Sequence, residues 1–236
     1  ASCNFLSSAS VTWLLTTQMG ANCRAVCVVN SQVTDAELRK LHDAGTRGVR
    51  IQFGLGNPVS AEEVMPLAKR IAKLGWHVVI YFEAVDLPEL WDFFTSLPTT
   101  VVVDHMGRPD VSKPLDGPEF ELFIRFMREH PNVWSKVSCP ERLSVSGPPA
   151  LNGQQQAYRD VVPFARRIVE TFPDRVLWGT DWPHPGAWPG QPRNPQAIEK
   201  FHPIDDDRAL QRMSQWVTSR EWKAMLQDNP AMLYDF

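Results

Sequence analysis

A parallel α/β fold curled as a (β/α) barrel is what the 236-residue sequence predicts. Three observations carry the prediction. Short β-branched runs alternate with amphipathic stretches that open on helix-start signals. The strand candidates are nearly continuous apolar runs, as expected when helices cover both faces of a parallel sheet. Polar residues gather at the C-terminal ends of those runs, where barrel active sites sit.

Ala25–Val29 (AVCVV) reads as the first strand. Thr34, with Glu37 three residues on, forms a capping box, and Gly45 closes the helix that follows. Gly48–Phe53 (GVRIQF) is the second strand. Ser60 and Glu63 repeat the capping box for a helix to Leu74, before Gly75. His77–Phe82 (HVVIYF) is the third strand, and Asp86, Pro88 and Glu89 open a helix through about Leu97. Thr100–Asp104 is a strand, Pro118–His130 a helix, Asn132–Val137 a strand, Gln154–Phe172 a long helix and Arg175–Gly179 the sixth strand. Helices follow near Asp205–Thr218 and Ser219–Gln227. Pro140–Gly153 and the proline-dense Trp182–Pro203 are loops, since proline at that density forbids helix and interior strand. An open doubly wound sheet shares this alternation, but no Gly-rich phosphate loop follows the first strand. The expected architecture is a TIM-like barrel lacking one or two N-terminal strands, as one domain over 1–236.

Composition excludes several classes. Net charge is −3, without the basic footprint of a nucleic-acid binder. Nine Trp and twelve Phe give too much apolar surface for a disordered chain. No apolar run approaches the ~20 residues that span a bilayer, and Val11–Leu15 is too short for a signal-peptide core. Cys3, Cys23, Cys27 and Cys139 are too few for a disulfide scaffold, so reduced thiols and a cytoplasmic location are expected. The chain begins at Ala1 rather than Met, so upstream residues are expected to be missing.

Three sets of residues can carry chemistry. In VVVDHMGRPD (101–110) an apolar strand ends in Asp104-His105; the imidazole there can polarise a carbonyl, bind a metal, or be satisfied by local hydrogen bonds. In RVLWGTDWPHP (175–185) a strand ends in Gly179-Thr180, then Asp181, with His184 three residues on. Asp181 can activate water as a general base, ligate a metal, or cap the turn. The third set is cationic. Arg50 sits within an apolar strand, which requires a partner carboxylate from protein or substrate. Arg142 lies just past a strand, either in solvent or as a planar fork for an anion. Tyr81 supplies a phenolic donor or packs in the core. The six histidines include no HxH or HExxH pair. A divalent metal such as zinc therefore finds no complete ligand set, and His105 and Asp181 would be its first ligands. Phosphate-loop and serine-elbow motifs are absent.

DHMGRPD, KVSCPERLS and LWGTDWPHP together resemble the amidohydrolase superfamily, and within it the 2-pyrone-4,6-dicarboxylate lactonase-like branch of TIM-barrel hydrolases. The resemblance runs from about residue 21 to the C-terminal DNPAMLYDF. It implies that Asp181 activates the hydrolytic water, His105 polarises the scissile carbonyl and His184 lines the site. It also implies that Arg50 and Arg142 hold substrate carboxylates, with Tyr81 nearby and Ser138 of KVSCPERLS in the same substrate-binding set. The resemblance further implies a relative of metal enzymes that can work without a bound metal.

The sequence departs from the family in two places. The first-strand HxH is absent, and Leu55-Gly56-Asn57 stands where members carry a second cation. A six-stranded fragment exposes sheet edges, so the N-terminal segment or a second copy, as a homodimer, is expected to cover the gap. Three functions follow: a hydrolase of a carboxylated lactone or similar cyclic ester; a decarboxylase of an aromatic or pyrone acid, with or without metal; or a non-catalytic barrel acting as a binding partner. The first is the expected one, with a small anionic substrate and no nucleic-acid or membrane partner.

Overall fold

Six parallel strands form one sheet in sequence order: β1 (Ala25–Cys27), β2 (Thr46–Gln52), β3 (His77–Tyr81), β4 (Val101–Val103), β5 (Val133–Ser138) and β6 (Val176–Gly179). The computed structural model describes residues 20–52, 61–147, 158–185, 196, 198 and 200–236. The intervening helices are α1 (Asp35–Asp43), α2 (Ala61–Ala72), α3 (Leu87–Ser96), α4 (Pro118–Glu129), α5 (Pro140–Leu143) and α6 (Val162–Thr171). After β6 come α7 (Asp206–Met213), α8 (Ser219–Lys223), a π-helical turn at Ala224–Asp228 and α9 (Asn229–Tyr234). Among the described residues no helix is long and apolar enough to cross a membrane.

The local signals explain most boundaries. Thr34 Oγ1 accepts from the Glu37 N–H while Glu37 Oε2 accepts from the Thr34 N–H, so the first capping box forms in full. Gly45 takes φ 106°, open to glycine alone, and its N–H reaches the His42 carbonyl at 2.9 Å. Ser60 of the second box lies outside the described residues, as do Phe53, Leu55-Gly56-Asn57 and most of Trp182–Pro203. One loop needs correction. Pro140–Leu143, expected as irregular chain, makes a short helix because Pro140 supplies a preset φ at its first turn.

Strand alternation sorts the core into two layers. Val78, Ile80, Val101, Val103, Val133, Val137 and Val176 face outward into the cluster beneath the helices. Val26, Val79, Val102, Trp134 and Leu177 face the concave side, where Leu233 and Tyr234 of α9 pack on them. Each such buried aliphatic contributes ~1.5–3 kcal/mol. The sheet curls but stays open among the described residues: β1 and β6 do not pair.

The C-terminus crosses the bottom of that opening. The Asn229 amide donates to the Val176 carbonyl at the start of β6. The Arg24 guanidinium donates to the Tyr234 carbonyl beside β1, and Arg47 at the start of β2 pairs with Asp235 at 3.3 Å. The family-like closing segment DNPAMLYDF thus forms the floor of the half-barrel.

His77 belongs to that floor. Its ring is buried, edge-on to Tyr234 at 5.0 Å, and neither nitrogen has a partner among the described residues. Burial, helped by the Lys136 charge, lowers its pKa to about 3. Between pH 6.5 and about 3 the unfolded chain therefore binds a proton that the native chain refuses. Stability falls as pH falls through that window, by about 1.4 kcal/mol per unit. Urea midpoints at pH 7 and pH 5 should differ less in His77→Phe than in the parent; equal differences would remove His77 as the cause. Gly48 is the second pressure point. A Cβ there would lie 2.8 Å from His77 Nε2 and 2.9 Å from its carbonyl oxygen. Gly48→Ala should cost about 1–3 kcal/mol in urea unfolding, and an unchanged midpoint would show that β2 and β3 can part.

Candidate active site

Three strand ends build the site. After β4 the chain turns through Asp104–Gly107, with His105 at φ 53° and Met106 at φ 60°, and Arg108 follows at φ 53°. After β5, Cys139 takes φ 61°; after β6, Asp181 takes φ 65° and His184 φ 61°. Left-handed backbone at a non-glycine residue costs of order 1 kcal/mol. Of eight such residues among those described, six sit on these three turns. The strain is concentrated where side chains must be re-aimed across the barrel mouth.

Below the turns lies a buried charge cluster. Asp104, almost fully buried, takes Arg50 Nη1 on Oδ2 at 2.6 Å and Lys136 Nζ on Oδ1 at 3.0 Å. Burial alone would raise this carboxyl, but Lys136 and Arg50 hold it at about 2. Arg50 therefore finds its required carboxylate within the protein. It also faces the hollow that Asp104, His105, Lys136, Ser138, Asp181 and Tyr234 line, roughly 860 Å³ and open to solvent.

Above it sits the reactive pair. His105 Nδ1 lies 2.8 Å from Ser138 Oγ, and His105 Nε2 faces Asp181 Oδ1 at 3.6 Å. Burial lowers the imidazole pKa to about 4, against the pull of Asp181 and Asp104, so the ring is neutral at pH 7. The facing carboxylate favours the tautomer with its proton on Nε2; Nδ1 then accepts the Ser138 O–H. Asp181 Oδ2 also accepts from Arg142 Nη2. Burial acts to raise the Asp181 pKa, yet His105 and Arg142 lower it on balance. Its side chain keeps 13% exposure, so water reaches it despite the ion pair.

The structure thus brings Asp181, His105, Arg142, Ser138 and Arg50 together. Ser138 holds the imidazole ring. Tyr81 lies edge-on to His105 at 5.9 Å and donates to Glu83 Oε1 at 2.7 Å, so its hydroxyl is already engaged. His184 is not brought to the hollow. Its Nδ1 meets Glu141 at 3.3 Å and its Nε2 meets Asp206 at 3.1 Å, both away from the hollow's lining. It ties the turn after β6 to α5 and α7, so the expected site-lining role is corrected to a structural contact.

Two groups escaped the sequence reading. Lys136 projects inward from β5, one alternation below Ser138; its signal was a lysine in an apolar strand, the same signal that marked Arg50. Arg108 donates through Nε to Glu83 at 2.9 Å and stacks on Tyr81. Its Nη1, like Arg142 Nε, is buried without a hydrogen-bond partner among the described residues. Both arginines line a second, more open hollow beside the first. Two guanidinium groups on one hollow suit an anion.

A metal fits these residues poorly. His105, Cys139 and Asp181 offer ligand atoms within 4.8 Å of one another. However, burial holds the Cys139 thiol protonated, Arg142 occupies Asp181, and Lys136 and Arg50 add positive charge nearby. A divalent ion would have to displace a guanidinium and deprotonate a buried thiol.

Comparison with known proteins bears on the fold and the family. A family model described as Amidohydrolase matches residues 3–236. The chain is 61% identical over 217 residues to a 2-pyrone-4,6-dicarboxylate hydrolase of Comamonas testosteroni, covering 91% of this chain and 68% of that protein. It is 31% identical over 216 residues to a 4-sulfomuconolactone hydrolase of Hydrogenophaga intermedia, covering 89% of this chain and 64% of that protein. Among solved structures, Agrobacterium tumefaciens ATU3138 superposes with a TM-score of 0.75 at 24% identity, over 98% of this chain and 76% of that one. A dihydroorotase of Campylobacter jejuni does so at 0.56 and 12% identity, over 97% and 70%. Both structures speak to the fold. With parallel strands ending in Asp104-His105 and Thr180-Asp181, and a match along almost its whole length, this chain belongs to the amidohydrolase family.

Proposed function

We propose that this chain hydrolyses a lactone or similar cyclic ester that carries a carboxylate, with Asp181 as the base. The observation that supports the reading most directly is an ionised, water-reachable carboxylate facing a neutral imidazole across 3.6 Å. That gap is too long for a direct hydrogen bond and too short to hold an atom, so the reacting group lies beside the pair, in the hollow that both residues line. The relatives' names describe cyclic esters with acidic substituents, a dicarboxylated pyrone and a sulfonated muconolactone.

Asp181 takes a proton from water as the water oxygen bonds to the lactone carbonyl carbon. His105 donates from Nε2 to the carbonyl oxygen, where negative charge develops. Collapse of the tetrahedral adduct breaks the ring C–O bond, and the proton held on Asp181 passes to the departing ring oxygen. The product is the open hydroxy acid or its keto tautomer. Arg142 keeps Asp181 ionised and aimed. Arg142 and Arg108 both line the adjoining hollow and hold a substrate carboxylate there. Ser138 fixes the imidazole, so it acts on the substrate only through His105.

Asp181→Asn should lower kcat on a carboxylated 2-pyrone by ~10²-fold or more, with circular dichroism unchanged; a retained rate would take the base role from Asp181. The pH profile supplies a second check. His105 must be neutral and Asp181 ionised, and both conditions hold above about pH 4. kcat/KM should therefore stay level from about pH 5 to 8 and fall in acid near pH 4. An acid limb centred near 6.5, the ordinary histidine value, would contradict the buried neutral imidazole.

A further inference from the structure

We propose that His184 is a positioning residue: through Glu141 it locks α5 to the turn after β6 and so keeps Arg142 paired with Asp181. This rests on the lactone-hydrolase reading and adds to it the group that holds the base in place. Arg142 and Asp181 sit on different elements, and their ion pair aims the base only while both backbones are fixed. α5 has four residues, Pro140–Leu143, too few to be rigid by themselves. Its C-terminal end is tied by Ser144 Oγ, which donates to Asp160 Oδ1 at 2.8 Å. The side that faces the site depends on Glu141.

Glu141 and Arg142 are neighbours, so on a helix their side chains diverge by about 100°. One reaches His184 Nδ1 at 3.3 Å and the other reaches Asp181 Oδ2. Both targets lie on the turn after β6, and the His184 N–H donates to the Asp181 carbonyl at 2.9 Å. These contacts close a ring: from Asp181 to Arg142, along the chain to Glu141, across to His184 and back to Asp181. Opening the ring at Glu141 takes away the second bridge, and the guanidinium is then free to drift with α5.

His184 is firmly anchored for this task. It is 3% exposed, its Nε2 meets Asp206 at the start of α7 at 3.1 Å, and its carbonyl accepts from the His202 N–H at 2.9 Å. Each ring nitrogen faces a carboxylate oxygen, an arrangement in which a doubly protonated imidazole donates to both. Burial acts to lower the His184 pKa, yet Glu141 and Asp206 raise it on balance. The ring does not line the hollow, so its effect on turnover passes through its neighbours.

The test pairs turnover with a direct view of Arg142. His184→Leu should lower kcat on a carboxylated 2-pyrone by ~10–100-fold, the cost of a base misplaced by about 1 Å. In an Arg142→Met background the same change should alter the rate by no more than about twofold, because the pair it protects is already gone. His184→Asn keeps a donor where Nδ1 stood and should recover most of the loss. His184→Gln, which extends its donor toward Asp206, should not. The independent readout is the nitrogen NMR spectrum of arginine-labelled protein, in which the paired guanidinium of Arg142 gives separate Nη signals. Those signals should merge in His184→Leu and stay separate in His184→Asn. Glu141→Leu leaves the His184 backbone unchanged and seats an apolar side chain beside Val137, Tyr158 and Met213. It should merge the signals too, and it decides the matter if His184→Leu does not fold. Unchanged Arg142 signals in Glu141→Leu, a rate loss in His184→Leu that persists in the Arg142→Met background, or no advantage of Asn over Gln would overturn the proposal. A parent chain that opens no carboxylated lactone while its Arg142 signals respond as described would refute the hydrolase reading and leave His184 as the group that holds the pair.

Discussion

Asp104 is the constraint on which the site depends. It joins β2 through Arg50 and β5 through Lys136 while standing at the end of β4, so one carboxylate sets the spacing of three strands on the concave face. Removing one partner of a buried pair costs ~3–5 kcal/mol because a charge is left stranded. His105 is the next residue in the chain. Any slip of β4 that loosened Asp104 would also lift the imidazole from Ser138 Oγ, so fold and chemistry share a single anchor.

The same logic explains the left-handed turns. A strand delivers side chains alternately inward and outward, and its last inward position lies below the barrel mouth. To bring His105 and Asp181 face to face above that layer, the backbone must leave the β region at once. Positive φ at both residues does this, and the buried hydrogen bond and ion pair on either side hold the strained geometry. Gly107 has φ 69°, and a Cβ there would strike the Phe123 ring at 2.8 Å, so α4 packs directly beneath the turn.

Much of this was legible in the sequence because burial leaves a compositional trace. The six β-branched runs, the Thr34–Glu37 box and Gly45 all translate into single local conformations. Arg50 was legible because a cation inside an apolar strand demands a counter-charge, although the sequence left open whether protein or substrate would supply it. Asp181 and His105 stood out because they follow apolar runs. His184 shows where such reasoning stops. It lies three residues from Asp181, yet the turn sends its ring to Glu141 and Asp206, and proximity along a left-handed turn carries no direction. Lys136 was overlooked because Ser135 and Ser138 flank it in β5, so one lysine reads as solvent-facing until the register puts it beside Asp104. Pro140–Leu143 looked like loop because proline is read as a breaker, when at a first turn it is a starter.

The curled sheet of the described residues and the buried charges belong together. A closed barrel buries its interior among its own strands, whereas here α9 seals the bottom with Leu233 and Tyr234 and the concave face above stays a hollow. The apolar layer of Val79, Val102, Trp134 and Leu177 excludes water below Asp104 and lowers the effective dielectric around it. A charge therefore acts more strongly on a ligand here than at an exposed surface. In the proposed reaction the arginines at the hollow's edge draw an acidic ring inward, and the Asp181 carboxylate repels it unless the ring presents its carbonyl to His105 and its acid to those cations. Attraction at the flanks with repulsion at the centre orients the ester before any bond changes. In that arrangement the charges responsible for recognition also set the direction of attack.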